Sequence, residues 1–148
     1  MTKDNILAFS RKTSVLVIDG SKNQRTFWAE QLSRCSPDYE IVEASDGQSG
    51  LDLYRSRRID CVVLELALQD ESGFAALLNL VPIASRPQVA VIVLTQLTHR
   101  GTWELARQNG AYACLAKKIT SGEDLHKAIQ RAIASVGQMP KEDRYRPI

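Results

Sequence analysis

The sequence has few cysteines and no arrangement of them that predicts a metal site or a redox pair. Its three cysteines, Cys35, Cys61 and Cys114, form no Cys-x-x-Cys pair and lie among apolar residues. Reduced thiols in the core are therefore expected, in preference to a redox or metal role. The two histidines, His99 and His126, have no partner ligands nearby in sequence, which disfavours a metal site.

Long hydrophobic runs and a strong excess of one charge are also missing. No apolar run approaches the ~18 residues of a membrane span, and residues 1–5 lack a signal-peptide pattern, so a cytoplasmic protein without a membrane segment is expected. The 19 basic residues are offset by 17 acidic ones, and a net charge of +2 does not predict nucleic-acid binding. A chain of 148 residues with 44% hydrophobic residues is expected to form one globular domain.

Five runs rich in β-branched and aliphatic residues alternate with five helical patterns. The predicted strands are residues 14–19, 39–44, the run 59–68 with its strand ending at Glu65, 89–94 and 111–116. The predicted helices are residues 22–35, a segment that starts at 47, 74–81, 102–109 and 125–136. This alternation predicts an α/β fold, a doubly wound parallel sheet with helices on both faces. Residues 13–137 would form the domain, with a lead-in at 1–12 and a tail or linker at 138–148.

Four of the five predicted strands end on a polar functional group: Asp19, Glu65, Thr95 and Lys117. The carboxyl ends of parallel strands lie at the same edge of a sheet, so these groups should converge. Access to solvent explains any one of them, but it explains the joint set poorly. Carboxylates, a hydroxyl and an ammonium together suit an anionic group such as a phosphoryl, or its mimic.

Several segments at these strand ends carry a resemblance to a known family. They are Val15-Leu16-Val17-Ile18-Asp19, Asp60-Cys61-Val62-Val63-Leu64-Glu65-Leu66 with Gly73 downstream, Val91-Ile92-Val93-Leu94-Thr95, and Gly110-Ala111 followed by Leu115-Ala116-Lys117. Over residues 13–136 the chain resembles the receiver domain of bacterial two-component response regulators. The resemblance implies a CheY-like, flavodoxin-type (βα)5 fold with strand order 2-1-3-4-5, and a signalling module in place of an enzyme.

The resemblance also implies roles for individual residues. In the family, an aspartate on strand three accepts phosphate from a histidine kinase, and an acidic pair after strand one binds magnesium. A Ser or Thr after strand four and a Lys after strand five bind the phosphoryl oxygens. By position, Glu65 stands at the phosphoacceptor and Asp19 at the first acid, and Thr95 and Lys117 match the phosphoryl-binding positions.

Two departures from the family pattern weaken the expected chemistry. Gly20 replaces the second acid, so a magnesium ion would find only Asp19, Glu65 and the carbonyl of Ala67, a weak set for a hard cation. Glu65 is one methylene longer than aspartate, which moves its carboxylate by about 1.5 Å toward the place of a phosphoryl group. Magnesium is therefore a doubtful cofactor, and no other cofactor is expected.

Two further departures concern the surface that transmits the signal. Lys118 replaces the proline that usually follows the lysine, and Cys114 occupies the aromatic switch position, so a Tyr or Phe rotamer switch is not expected. Trp103, on the fourth helix, could be an exposed contact for a partner or a core residue. The face formed by helix four, strand five and helix five often serves dimerisation or output in the family, so a homodimer is a candidate assembly.

The arginines at 55, 57 and 58 are interpreted as a solvated helix end, with an acidic partner as the alternative.

Together these features predict a degenerate receiver that signals by protein contact. Glu65 would form an ion pair with Lys117, with Thr95 beside it, and such a partly exposed pair would add only ~0–1 kcal/mol of stability. Expected partners are a sensor histidine kinase or an output domain or protein.

The alternative is true phosphotransfer with Glu65 as acceptor. An unrelated flavodoxin-like enzyme ranks lower, because Gly20-Ser21-Lys22-Asn23 lacks the spacing of a phosphate-binding loop. Direct DNA binding is disfavoured, because no recognition helix follows residue 137.

Overall fold

The computed structural model describes residues 12–70 and 73–137. Its strands are β1 (Thr13–Ile18), β2 (Tyr39–Ala44), β3 (Cys61–Leu64), β4 (Ala90–Thr95) and β5 (Ala113–Ala116). They form one parallel sheet in the order β2-β1-β3-β4-β5. The predicted fold class and the strand order implied by the family resemblance are both confirmed. The predicted tail at 138–148 and all but the last residue of the predicted lead-in lie outside the described residues.

Within the described residues, five helices connect and flank the strands. They are α1 (Lys22–Cys35), α2 (Gly47–Ser56), α3 (Gly73–Leu80), α4 (Arg100–Gln108) and α5 (Gly122–Gly137), and a single 3-10 turn covers Lys117–Ile119. Ser21 and Asp46 cap α1 and α2 by accepting the amides of Gln24 and Ser49. Reciprocal hydrogen bonds of 3.0 Å between Ser121 and Asp124 fix the start of α5.

Several predicted boundaries differ from the structure by one to three residues, and three of these differences have a local reason. Helix α4 begins at Arg100, two residues early, because the carbonyl of His99 accepts the amide of Trp103. Strand β3 begins only at Cys61, because the amide of Ser14 is bonded to the carboxylate of Asp60 instead of a backbone carbonyl. Strand β5 begins at Ala113, because the amides of Gly110 and Ala111 still donate to carbonyls of α4, and only from Tyr112 onward does the chain bond to β4.

The sheet is buried on both faces, as a parallel sheet requires. Leu16 and Ile18 of β1 belong to the core beneath α2, α3 and α4, whereas Val15 and Val17 belong to the core beneath α1 and α5. Helix α3 contributes Ala76, Leu77 and Leu80 to the first core, and all three are buried. This two-sided packing holds the strand ends in fixed positions, which is what the candidate site depends on.

Candidate functional site

The sheet order brings three of the predicted site residues together. Strands β1 and β3 are neighbours, and Asp19 and Glu65 are the residues that follow their last positions. The backbone continues the pairing, since the amide of Glu65 donates to the carbonyl of Ile18 at 2.9 Å. Lys117 opens the 3-10 turn after β5 and reaches across to both carboxylates.

The ammonium of Lys117 lies between two buried carboxylates. Its Nζ is 2.7 Å from Asp19 Oδ2 and 3.0 Å from Glu65 Oε1. The predicted Glu65–Lys117 pair is therefore present, but the prediction that it is partly exposed was wrong. The side chains of Glu65 and Lys117 are only 2% and 11% exposed, because the strand ends and the turn after β5 close over them. Removing one partner from such a pair leaves an uncompensated buried charge.

Two backbone amides complete the surroundings of the Glu65 carboxylate. The amide of Gln96 donates to Oε1 and the amide of Ala67 donates to Oε2, each at 3.2 Å. With Lys117, three donors converge on one carboxylate, and the hydrogen bond from the ammonium is charge-assisted. Ala67 was predicted to offer its carbonyl to a metal, whereas the contact the structure shows is through its amide.

Thr95 lies beside the site without joining this hydrogen-bond set. It is fully buried, and its hydroxyl accepts the amide of Leu97 at 3.0 Å. Among the residues that the structure describes, no hydrogen bond joins Thr95 to Glu65. Thr95 ends β4, as predicted, and so lies at the same edge of the sheet as the ion pair. Its hydroxyl, however, is hydrogen-bonded to the amide of Leu97 in the loop that follows β4.

The residues present do not fit a magnesium ion. Both oxygens of Asp19 are engaged, Oδ1 by the amide of Ser21 at 2.8 Å and Oδ2 by Lys117, and both oxygens of Glu65 are engaged as described. Magnesium requires several oxygens in octahedral geometry. Over residues 12–70 and 73–137, no group of three or more His, Cys, Asp or Glu side chains could hold a metal. Lys117 supplies the positive charge at this place.

A position for the missing acid is nevertheless open. Gly20 is exposed, and a Cβ built there would meet only the carbonyl oxygen of Ser45, at 3.7 Å. Ordinary van der Waals contact of this kind would accommodate an aspartate. The second acid is therefore absent because of the residue type and not because the fold has no room for it.

A cleft of about 730 Å³ opens above the ion cluster. Its walls combine the edge-to-face pair of Phe27 and Trp28 with amide and ammonium groups. Phe27 is 47% exposed, whereas Trp28 is buried. The polar part of the wall consists of Gln24, Gln69, Gln96 and Lys118. The cleft gives a partner or a small group access to the rim at which Glu65 and Lys117 meet.

Comparison with known proteins agrees with this arrangement of strand ends. The family model described as the response regulator receiver domain matches residues 15–130. The chain belongs to this family. Receiver domains are signalling domains that interact with kinases and output domains in two-component systems.

The similar curated proteins are response regulators of several kinds. The transcriptional regulatory protein PdtaR of Mycobacterium tuberculosis is 36% identical over 121 residues, which are 81% of this chain and 56% of that protein. The polar-differentiation response regulator DivK of Brucella anthropi is 28% identical over 109 residues, 74% of this chain and 86% of that protein. The chain thus spans little more than half the length of PdtaR.

Solved receiver structures superpose well on this fold. A response regulator receiver domain from Clostridium thermocellum gives a TM-score of 0.73 at 28% identity and covers 83% of this chain and 95% of that one. A CheY-like receiver domain from Methanospirillum hungatei gives a TM-score of 0.76 at 18% identity, covering 86% and 98%. The second comparison supports the fold alone. Over the described part of this receiver domain, no helix is long and apolar enough to cross a membrane.

The predicted switch and output residues lie near α4 and β5. Cys114 is buried, and its Sγ lies 3.6 Å from the carbonyl oxygen of Trp103. Burial raises the pKa of this thiol to about 11, so the thiol stays protonated at neutral pH. Trp103 is half-buried against the core and donates from Nε1 to the carbonyl of Leu97 at 2.7 Å. Lys118 is exposed, and no cis peptide bond occurs among the described residues. The tryptophan is therefore partly core and partly surface.

Gly73 holds the loop that follows Glu65. Its amide donates to the carbonyl of Leu66 at 2.7 Å, and a Cβ at this position would lie 2.8 Å from the carbonyl oxygen of Glu65 and even closer to the Cα of Leu66. Backbone atoms cannot move aside as a flexible side chain can. The glycine eight residues after Glu65 is thus required by the close approach of two backbone segments.

We expect Gly73→Ala to destabilise the domain by about 1–3 kcal/mol, because the loop after Glu65 must shift to make room. Gly137→Ala is the matched control, since a Cβ there meets nothing within 4 Å. Urea unfolding followed by circular dichroism measures both. Equal stability of the two variants would contradict the proposed steric role of Gly73.

We expect Lys117→Met to cost about 3–5 kcal/mol of unfolding free energy, because it leaves Asp19 and Glu65 buried without a counter-charge. Lys118→Met removes the same charge from the adjacent exposed position and should change stability by less than about 0.5 kcal/mol. The same unfolding experiment compares them. A loss in Lys118→Met as large as that in Lys117→Met would refute the view that the ion cluster stabilises the rim.

Proposed function

We propose that this receiver domain signals through protein contacts and not through phosphorylation. The observation that carries the proposal is the hydrogen-bonding of Glu65, whose carboxylate accepts Lys117 Nζ and the amides of Gln96 and Ala67. A carboxylate that is held by three donors at the acceptor position is a fixed negative charge in the place where the family acquires one by phosphorylation. The domain would then be a pseudo-receiver, with no enzymatic role.

The same contacts oppose phosphotransfer. A carboxylate attacks phosphorus through a free oxygen lone pair, and charge on the incoming group must be offset by a cation. Here Oε1 of Glu65 already accepts two donors, Lys117 Nζ and the amide of Gln96, and Oε2 accepts the amide of Ala67, which leaves one lone pair of Oε2 for attack. The two carboxylates that could bind magnesium hold Lys117 instead. Gly20 supplies no further oxygen ligand from a side chain. Both requirements of the transfer step are therefore weakened in one site.

Because the charge at Glu65 would not change during signalling, partner proteins would recognise the domain through other surfaces. Three large apolar side chains on or next to α4 are substantially exposed, namely Leu97 at 40%, Leu105 at 48% and Tyr112 at 43%. Together with the half-buried Trp103 they provide the aromatic and aliphatic groups typical of a protein interface. We propose this region, next to β5, as the contact for an output protein or for a second copy of the chain.

Acetyl phosphate in the presence of magnesium is expected to leave the wild-type chain unmodified, as measured by intact mass. The double variant Gly20→Asp, Glu65→Asp should gain one phosphoryl group, because it restores the metal-binding acid and shortens the acceptor. The open space at Gly20 makes the first change sterically acceptable. Gly20→Asp, Glu65→Gln is the control, since it has the new acid but no nucleophile and should stay unmodified. Stoichiometric phosphorylation of the wild type would refute the proposed function.

If the chain forms dimers through the α4 region, Leu105→Glu should shift it to monomer, because a charge at the interface must be desolvated on association. Leu78→Glu is the control, because Leu78 is a leucine of α3 with a similar exposure, 51%. Sedimentation velocity reports the oligomeric state of each. If the wild type is dimeric and both variants are monomeric, or both remain dimeric, the dimer contact does not lie at the α4 region.

A further inference from the structure

A second polar cleft lies at the amino ends of the strands, at the edge of the sheet opposite Glu65. Its volume is about 350 Å³. We call it the amino-edge cleft, and its lining residues are Lys12, Ser14, Glu40, Arg57 and Arg58. These residues include two of the arginines that the sequence singles out as a basic cluster. The receiver function described above uses none of them.

Ser14 lies at the base of this cleft and is held by its backbone. Its amide donates to Asp60 Oδ2 at 2.8 Å, and its carbonyl accepts the amide of Asp60 at 2.9 Å. On its other side it pairs in register with Glu40 of β2. The residue is only 4% exposed, yet its Oγ has no hydrogen-bond partner. Buried hydroxyl groups in folded proteins are normally hydrogen-bonded, so the Ser14 hydroxyl lacks the partner that such a group usually has.

Two arginines line the same cleft as Ser14, and their guanidinium groups retain unused donors. Arg57 Nη2 is 3.2 Å from Glu40 Oε1, and Arg58 Nη2 is 2.7 Å from Asp60 Oδ1. Arg58 Nη1 also donates to the carbonyl of Lys12 at 3.3 Å. A guanidinium has five N–H donors, so each arginine has several left after these contacts. The existing pairs orient the two groups without consuming them.

The charges around the cleft favour an anion over a cation. Lys12, Arg57 and Arg58 provide three positive charges against the two carboxylates of Glu40 and Asp60. Both oxygens of Asp60 already accept hydrogen bonds, and Glu40 is paired with Arg57. Within the described ranges 12–70 and 73–137, Lys12 has no ion-pair partner. What remains unpaired is one ammonium, the spare guanidinium N–H groups, the Ser14 hydroxyl and the second carboxylate oxygen of Glu40, so donors outnumber acceptors.

We propose that the amino-edge cleft binds a phosphate-type oxyanion. The Ser14 hydroxyl would donate to one oxygen, and the guanidinium groups of Arg57 and Arg58 would donate to others, with Lys12 adding charge at the entrance. Planar guanidinium groups match the geometry of phosphate oxygens. The ligand is either free inorganic phosphate or the phosphate group of a nucleoside monophosphate, which present the same oxygens.

This site is independent of the signalling site. Five residues along β1 separate Ser14 from Asp19, a distance of about 16 Å at the rise of an extended strand. Binding therefore requires neither the Glu65 carboxylate nor its phosphorylation. The test of the amino-edge cleft can succeed or fail whatever the outcome of the acetyl phosphate experiment.

Amide chemical shifts of the ¹⁵N-labelled full chain, titrated with inorganic phosphate at constant ionic strength in chloride, test the proposal. We expect saturable shifts at Ser14, Asp60 and the two arginines, and none at Glu65 or Gln96. Ser14→Ala and Arg57→Gln should each weaken the apparent affinity by about fivefold or more, since each removes a donor to the anion. Arg55→Gln is the matched control, because Arg55 is an exposed arginine at the end of the same helix that does not line the cleft.

Thermal unfolding separates binding from a structural role. Ser14→Ala removes an unpaired buried hydroxyl, so its melting temperature should equal or exceed that of the wild type while its phosphate affinity falls. A parallel titration with adenosine monophosphate distinguishes the two sources of the ligand. Tighter binding of adenosine monophosphate than of phosphate would indicate a nucleoside monophosphate, and equal binding would indicate that only the phosphate group is recognised; both results support the site. No saturable shift in the wild type, or the same affinity in Arg57→Gln and Arg55→Gln, would overturn the proposal.

Discussion

The structure of the candidate site depends on one ammonium group placed between two carboxylates. Lys117 reaches Asp19 and Glu65 from the turn after β5, so it links the ends of three strands. One positive charge does not balance two negative ones, and backbone amides of Ser21, Ala67 and Gln96 make up the difference. Fixed N–H dipoles of this kind stabilise a buried charge without the entropy cost of ordering further side chains.

The two departures from the family pattern are consistent with each other in this cluster. A longer acceptor side chain lets Glu65 reach Lys117 and the amide of Gln96 at the same time. A second acid at position 20 would bring a third carboxylate to a rim that has one ammonium, and without a metal such a set would repel itself. Gly20 avoids this repulsion. With one carboxylate lost and another lengthened, the rim contains two carboxylates, which are held by one ammonium and by backbone N–H donors.

Much of this arrangement follows from the sequence, because four strands end on polar groups and a parallel sheet brings such ends to one edge. The sequence does not reveal that Lys117 is shared with Asp19, nor that the amides of Ala67 and Gln96 face Glu65, because loop geometry determines both. The burial of the pair was missed for the same reason. Ser14 gives no signal at all in sequence, since its position between Glu40 and Asp60 arises from strand register.

A cluster of this kind limits how the domain can be controlled. Removing one partner of a buried ion pair costs about 3–5 kcal/mol, and moving Lys117 away from its carboxylates would leave the same uncompensated charge. Reversing a two-state population from 1:99 to 99:1 requires a partner to prefer one state by about 5.5 kcal/mol. A partner would therefore spend most of its differential binding energy on moving Lys117 alone. Contact at α4, where Trp103 and the exposed Leu105 lie away from the cluster, avoids that cost. Under the proposed function, the output would be governed by the concentrations of the domain and of its partner, and not by a change of state at Glu65.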